Sequence, residues 1–562
     1  MSESTRRELL QALLGVPAAA LLGGGCGAFR RAPTLAFEGA IVGGPDAAGH
    51  KLRDGFRPLP SAVSRRRVGV LVVGGGVAGL SAAWRLERAG QRDYQVLELD
   101  DAPGGTARGG QNAVSRFPWG AHYLPCPLPH ARAALALLEE MGVCSRGADG
   151  GVEFDEAQLC RAPQERLFLG DRFYEGLAPA AGQSPEDRRQ FGVFGDEVNR
   201  WAAARDGRGR RAFAVPMAAG SDDAHVAALD RLSMADWLAE RRLDSRRLRW
   251  FVEYATRDDF GARLEDVSAW AGLHYFAARN EDGRGAEFLT WPEGNARLVD
   301  HLARAAGPRL STSALALEVT PLPRGAEVLV HHLRTGASER ITAEHVVVAA
   351  PRAHAARLVA PWRTSPPAHV AAFQCGSWLV ANLTLDAEPA SRGFPLCWDN
   401  VLSGSSSLGY VVATHQLDPG GCAPAPGDPC SRRAPPPRGP SVWTWYLPMT
   451  DRDPAEGRRK LAALTWRQAA DLVVSDLARA HPDIAARIRR LDVWRWGHAM
   501  VRPHPGFVFS AARAAAAAPL GDIHFAHSDL SGLPLFEEAQ YHGVRAAEAI
   551  LAARGVRFES LL

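Results

Sequence analysis

An α/β fold, with a parallel sheet at its centre and a second region of α+β character, is predicted by three observations. Residues 68–73 (VGVLVV) form a short, continuous β-branched run, as expected of a strand buried on both faces. This run enters the glycine-rich turn 74–79 (GGGVAG), followed by a helical pattern through Leu80, Ala83, Trp84 and Leu86 and by a second strand at 94–99. Gly90 stands where a helix C-cap belongs. Finally, 562 residues are too many for one hydrophobic core, so two or more domains are expected.

The chain is 46% hydrophobic and 23% charged, a globular composition that excludes disorder as its organising principle. A formal net charge of +3 gives no basic footprint for nucleic acid. Its basic side chains are almost all arginine, with Lys51 and Lys460 the only lysines. Eight cysteines without a CxxC pair predict no metal site. Cys422 and Cys430, in a Gly/Pro-rich stretch, either pair in an exported protein or remain free thiols.

In chain order, Arg6-Arg7 precedes an apolar run, 9–22, that is too short to span a membrane comfortably. This resembles a twin-arginine export signal, and it implies a periplasmic protein, or a membrane-anchored lipoprotein if Cys26 is acylated. Gly23 stands where lipoprotein signals carry Leu, Val or Ile. The other reading is a basic start to a short amphipathic helix in a cytoplasmic protein. Residues 27–66 read as a polar tether, so 1–66 are assigned to signal and tether. Helical periodicity covers 130–143 and 184–205, Ser233 with Asp236 makes a helix start, and helices continue to about 278. The segment 291–295 (WPEGN) breaks the pattern before an amphipathic helix at 296–306. Strands follow at 313–320, 326–333 and 339–350, then a surface loop at 416–440, a strand at 523–526 and a closing helix at 536–554.

The turn reads Gly74-x-Gly76-x-x-Gly79, here between a strand and a helix, with Glu98 ending the second strand. Gly74 permits the tight turn, Gly75 and Gly76 let backbone approach a pyrophosphate, and Gly79 lets helix pack on strand. The Val77 and Ala78 amides lie at a helix N-terminus, which favours phosphate. Glu98 is placed to accept from ribose hydroxyls. The reading is a Rossmann-like FAD/NAD(P)-binding domain.

The next segment, 100–108 (DDAPGGTAR), resembles the flavin-containing amine oxidoreductase superfamily of amine oxidases, protoporphyrinogen oxidases and phytoene desaturases. Members usually read Gly-Gly-Arg; here Gly104-Gly105 is followed by Thr106, and the arginine is displaced to Arg108. The likeness recurs at Trp119-Gly120-Ala121-His122, at Leu317-Glu318-Val319, at 346–351 (VVVAAP) and in 524–543. It implies FAD as cofactor, the Val319 backbone facing adenine, Asp529 at the pyrophosphate, and the helix start at Ala539 facing the flavin. It also implies an FAD domain assembled from discontinuous segments, 67–128, 290–355 and 515–562, around an α+β substrate domain at 129–289 and 356–514.

In such proteins the flavin takes a hydride while the protein orients substrate and excludes water. Many amine oxidases of the superfamily add a lysine beside the flavin, which Lys51 and Lys460 are poorly placed to supply. Substrate-side candidates are Trp494, Trp496 and His498, alternate residues of one strand, with His498 as acid or base and His122 near the flavin loop. The competing reading is an aromatic stripe with a satisfied histidine. Arg502 is either a carboxylate partner or a solvated side chain, and Asp258-Asp259 reads as a surface turn or cap. The expected activity is oxidation of a C–N or C–C bond in a small apolar or aromatic molecule, with oxygen or a redox partner as acceptor. The alternatives are a partner-dependent flavin redox protein without turnover and a redox-neutral flavin mutase.

Overall fold

The computed structural model describes residues 36–43, 46–58, 63–148, 150–280, 287–417 and 439–562. The twin-arginine segment, Cys26 and the stretch carrying Cys422 and Cys430 lie outside the described residues, as does most of the predicted loop at 416–440.

A seven-stranded sheet forms where the β-branched runs predict it. Its order is Leu310–Ser311, Tyr94–Leu97, Val63–Val73, Ser338–Val348, Ala326–His332 and Ala314–Pro321, with Ile523–Phe525 pairing the far end of Ser338–Val348. The strands from Leu310–Ser311 to Ser338–Val348, and Ile523–Phe525, run parallel; the remaining two return antiparallel. Val70 and Val72 are wholly buried because helices Val77–Arg88 and Phe536–Ala553 cover one face through Ala82, Leu86 and Ile550, and Leu71 is wholly buried on the other face. Every parallel strand therefore ends on the edge that carries the glycine turn, the edge on which open α/β sheets bind ligands.

The second sheet has eight strands in the order Ile41–Val42, Ile488–Val501, Cys375–Leu385, Ser441–Met449, Tyr410–Val412, Asp399–Leu402, Glu165–Leu169 and Arg172–Glu175. Helices Pro185–Ala203, Met234–Glu240, Arg246–Phe260 and Ala269–Ala277 share a separate core around Trp237 and Trp270. Ser184 and Asp187 close a capping box on the first of these, and the Ser233 hydroxyl accepts from the Asp236 amide at 3.0 Å on the second. Among the described residues no helix is long and apolar enough to cross a membrane.

The tether reading fails for its second half. Ile41–Val42 pairs in parallel with Ile488–Val501, a helix spans Asp46–Arg53, and Phe37 is buried against Trp466. Lys51 is part of this packing, its Nζ 4.5 Å from the Phe56 ring centre. These anchors are single apolar residues among polar ones, too sparse to register as a period.

Candidate active site

The turn is built as its spacing predicts. Gly74 takes φ +114°, closed to side-chain-bearing residues, while its amide donates to Leu97 O at 2.8 Å. A Cβ on Gly79 would lie 1.9 Å from Gly74 O, so only glycine lets the helix start so close to the strand. No side chain caps that helix at Gly76, which leaves its first amides to whatever occupies the cavity in front of them. This cavity, about 350 Å³, is lined by Gly74, Gly76, Val77 and Ala78 on one side and by Gly104, Gly105 and Thr106 on the other. Gly104 N donates to Gly75 O at 2.9 Å, which locks the two glycine turns together. A Cβ on Gly76 would meet nothing nearer than Gly105 Cα at 4.0 Å, so the cradle is open there.

Glu98 reaches the same cavity while accepting from the Gly75 and Asp100 amides, each at 2.8 Å. Burial, against the pull of those amides, pushes its carboxyl up to about 7. The cavity ends at Trp496, Leu535, Phe536 and Ala539, where helix Phe536–Ala553 begins with no side-chain cap at Leu535. Two bare helix N-termini and a ribose-ready carboxylate around one cavity fit FAD: amides for the diphosphate, Glu98 for the ribose, and a second helix dipole where charge develops on reduction.

Three residues expected at the cofactor lie elsewhere. Arg108 is held by Asp100 and Asp101 at 3.2 and 3.1 Å, with its guanidinium 4.7 Å from the Trp494 ring centre. Val319 is wholly buried in its sheet, and Ala314, Leu315 and Ala316 line the cavity instead. A β-bulge between Ala316 and Glu318 shifts the register there, which strand counting cannot anticipate. Asp529 is buried behind the wall, accepting from the Arg352 amide at 2.9 Å and pairing with His527 at 2.9 Å. Burial works against its charge, but His527 and that amide outweigh it and hold the carboxyl below its usual range. Gly75, behind the turn, serves through its amide to Glu98.

Beyond the cofactor cavity lie two more. A space of about 130 Å³ shares Thr106, Ala121, Trp496 and Phe536 with it. That space shares His122, Tyr123, Asp258, Arg279 and Tyr446 with a wider cavity of about 340 Å³. The three adjoin one another through these shared wall residues. The larger of the two inner cavities is lined by Tyr123, Tyr254, Tyr275, Tyr410, Tyr446 and Trp398, with three carboxyl groups, Glu165, Asp258 and Asp399. Arg279 is the one arginine or lysine among the described lining residues of either inner cavity, and it donates to Asp259 at 2.8 Å. Burial, then the neighbouring Asp259, pushes Asp258 up to about 7. Burial, then Glu165 and Asp258, raises Asp399 well above its usual value; its partner is the Tyr254 hydroxyl at 3.1 Å.

Asp258 and Asp259 are thus not a surface turn but the polar centre of the inner cavities. His122 lines both spaces, its ring 4.9 Å from Tyr446 and 5.5 Å from Trp398. Burial lowers it to about 4, so it is neutral at physiological pH. Trp496 lines the cofactor and middle cavities, donates to Trp119 O at 2.6 Å and stacks on Trp494 at 4.6 Å. His498 lines the cofactor cavity only, which removes it from the substrate side. Arg502 is neither solvated nor substrate-facing: it is 2% exposed and donates to the Met449 and Asp451 carbonyls. Lys460 is paired with Asp451 and Glu456, and neither lysine lines an inner cavity.

A family model described as flavin containing amine oxidoreductase matches residues 77–551. No curated protein matches the chain. Similar solved structures include a putrescine oxidase double mutant, 17% identical with a TM-score of 0.62 over 87% of this chain and 100% of that one. Cyclohexylamine oxidase from Brevibacterium oxydans IH-35A is 17% identical with a TM-score of 0.59, over 87% of this chain and 99% of that one. A CLA-producing fatty acid isomerase from P. acnes is 13% identical with a TM-score of 0.55, over 86% and 98%. At such identities the likeness is one of fold.

Proposed function

The chain belongs to the flavin-containing amine oxidoreductase family and is an FAD-dependent oxidoreductase, and from that premise we propose that it oxidises the C–N bond of a small amine. The observation that carries this reading is the inner cavity of about 340 Å³, where three carboxyl groups stand among five tyrosines and a tryptophan. Aromatic faces attract cations, and buried carboxylates without countercharge are costly. An ammonium group satisfies both.

Bound FAD supplies the two-electron acceptor. The residues of the chain do the rest. Tyr446 and Trp398 confine the substrate, and Asp258 lines both inner cavities, so it meets the amine on the path to the cofactor. An amine must be neutral at nitrogen before its α-hydrogen leaves as hydride. Asp258 is the group we assign to accept that proton, a role the lysines are not placed to take. Leu535 and Phe536 stand between the middle cavity and the cofactor cavity, lining both.

The test is anaerobic bleaching of the bound flavin by a panel of primary, cyclic and aromatic amines, set beside neutral isosteres such as the matching alcohols. Bleaching by amines alone supports the reading. Bleaching by neutral donors, with every amine inert, overturns it.

A further inference from the structure

Among the described residues no arginine or lysine lines the cofactor cavity; its basic side chains are three histidines. They come from three separate elements: His354 from helix Arg352–Leu358, His498 from strand Ile488–Val501, and His527 from the turn after Ile523–Phe525. The His354 and His498 rings meet edge to face at 4.8 Å. His354 Nδ1 is buried without a hydrogen-bond partner. The two nearby guanidinium groups stand outside the wall: Arg108 is engaged by Asp100 and Asp101, and Arg352 is buried over the Phe525 ring at 4.2 Å.

We propose that His354 and His498, with His527 beside them, supply the countercharge for the diphosphate of FAD, so that the cofactor binds together with protons. The inference rests on the cofactor alone and not on the identity of the substrate. A diphosphate carries a negative charge on each phosphate, and the glycine-turn amides offset it only through partial charges. His527 Nδ1 is already engaged within the protein, 2.9 Å from the Asp529 carboxyl and accepting from the Asp529 amide at 3.2 Å. The remaining pair is the variable part. Burial lowers both His354 and His498, the latter to about 3 although it is exposed on the cavity wall; His354 opposes charge on His498, and His527 opposes charge on His354. Arg357 and Arg458 also oppose it, while Asp529 favours it. A diphosphate in the cavity favours charge on this pair, against the burial and the cations that oppose it. Glu98 faces the cavity too, and its own protonation removes negative charge with the same sign of effect, so it must be controlled.

Linkage fixes the size: each proton taken up on binding tightens the equilibrium up to about tenfold per unit fall in pH. Equilibrium dialysis of the holoprotein against FAD between pH 6 and 8 reads it directly. The dissociation constant should rise about tenfold or more across that range in the wild type. It should flatten in the His354→Asn/His498→Gln double variant, and keep its slope in Glu98→Gln. A wild-type constant independent of pH overturns the proposal, as does an unchanged slope in the double variant. If circular dichroism shows the double variant unfolded, His354→Gln alone decides by the same criterion, a reduced slope supporting and an unchanged one refuting. Absence of bound FAD at every pH would refute this proposal and count against the cofactor assignment as well.

Discussion

Asp258 faces both inner cavities from the last turn of its helix. It closes helix Arg246–Phe260, just before Gly261 turns the chain with φ +59°, and a carboxylate pair at a helix end reads as a surface cap. Yet Thr256 and Phe260 are wholly buried and Asp259 is 5% exposed, because the helix end points into the molecule. The partner that would have revealed this, Arg279, is contributed by the chain after helix Ala269–Ala277. Asp258→Asn keeps the shape and removes the titration. If Asp258 takes the substrate proton, the variant should reduce its flavin with amine about 100-fold more slowly, as expected for loss of a general base. The wild-type rate should rise with pH through about 7, where the carboxyl ionises, and the variant should lose that rise. Stopped-flow reduction across pH checks both; equal rates and profiles would assign the proton to another group. His498 shows the opposite kind of legibility. Alternation correctly set Trp496 and His498 on one face of a strand, but could not say which of two adjoining cavities that face would meet.

At the scale of elements, the cofactor half is held by the crossing of helices Val77–Arg88 and Phe536–Ala553. A Cβ on Gly543 would lie 2.1 Å from Ala78 O, in the first turn of the phosphate-facing helix. Gly543→Val should therefore push apart the two helix starts that bound the FAD cavity. The expected result is flavin-depleted protein, read from the ratio of visible to protein absorbance, with a stability loss of about 1–3 kcal/mol as for other overpacked contacts. Full flavin loading would show that the crossing is more tolerant than this contact implies. The strand–turn–helix–strand unit was legible because local rules dictate it: β-branched strands, a turn requiring φ +114° at Gly74, and an acid ending the next strand. The eight-stranded sheet was not. Cys375–Leu385 is buried along almost its whole length, so it lacks the alternation that marks a half-exposed strand. Its partners, Ser441–Met449 and Ile488–Val501, are far off in sequence. Pairing of that kind is set by tertiary packing, as is the bulge that moved the cavity wall from Val319 to Ala314–Ala316.

At the scale of the whole molecule, two sets of buried groups pull stability in opposite directions with pH. Burial raises Glu98, Asp258, Glu537 and Glu538 each to about 7, above the roughly 4 of an unfolded carboxyl. Their contribution to stability is full below about 4 and is lost as pH rises through about 7. Burial also lowers His122 and His524 to about 4 and His274 and His481 to about 3. The unfolded chain, with histidines near 6.5, gains more protons as pH falls below that value, so these four cost stability on the acid side. The protein without substrate should be most stable a little below neutrality. The difference in Tm between Asp258→Asn and the wild type isolates one member of the first set, since the amide stays neutral at every pH. That difference should move in favour of the variant as pH rises from 5 to 8, and saturating amine should narrow it by giving the wild-type carboxylate its counterion. A difference constant across that range would mean that Asp258 is ionised throughout, and then the acid cavity would already hold its countercharge in Arg279.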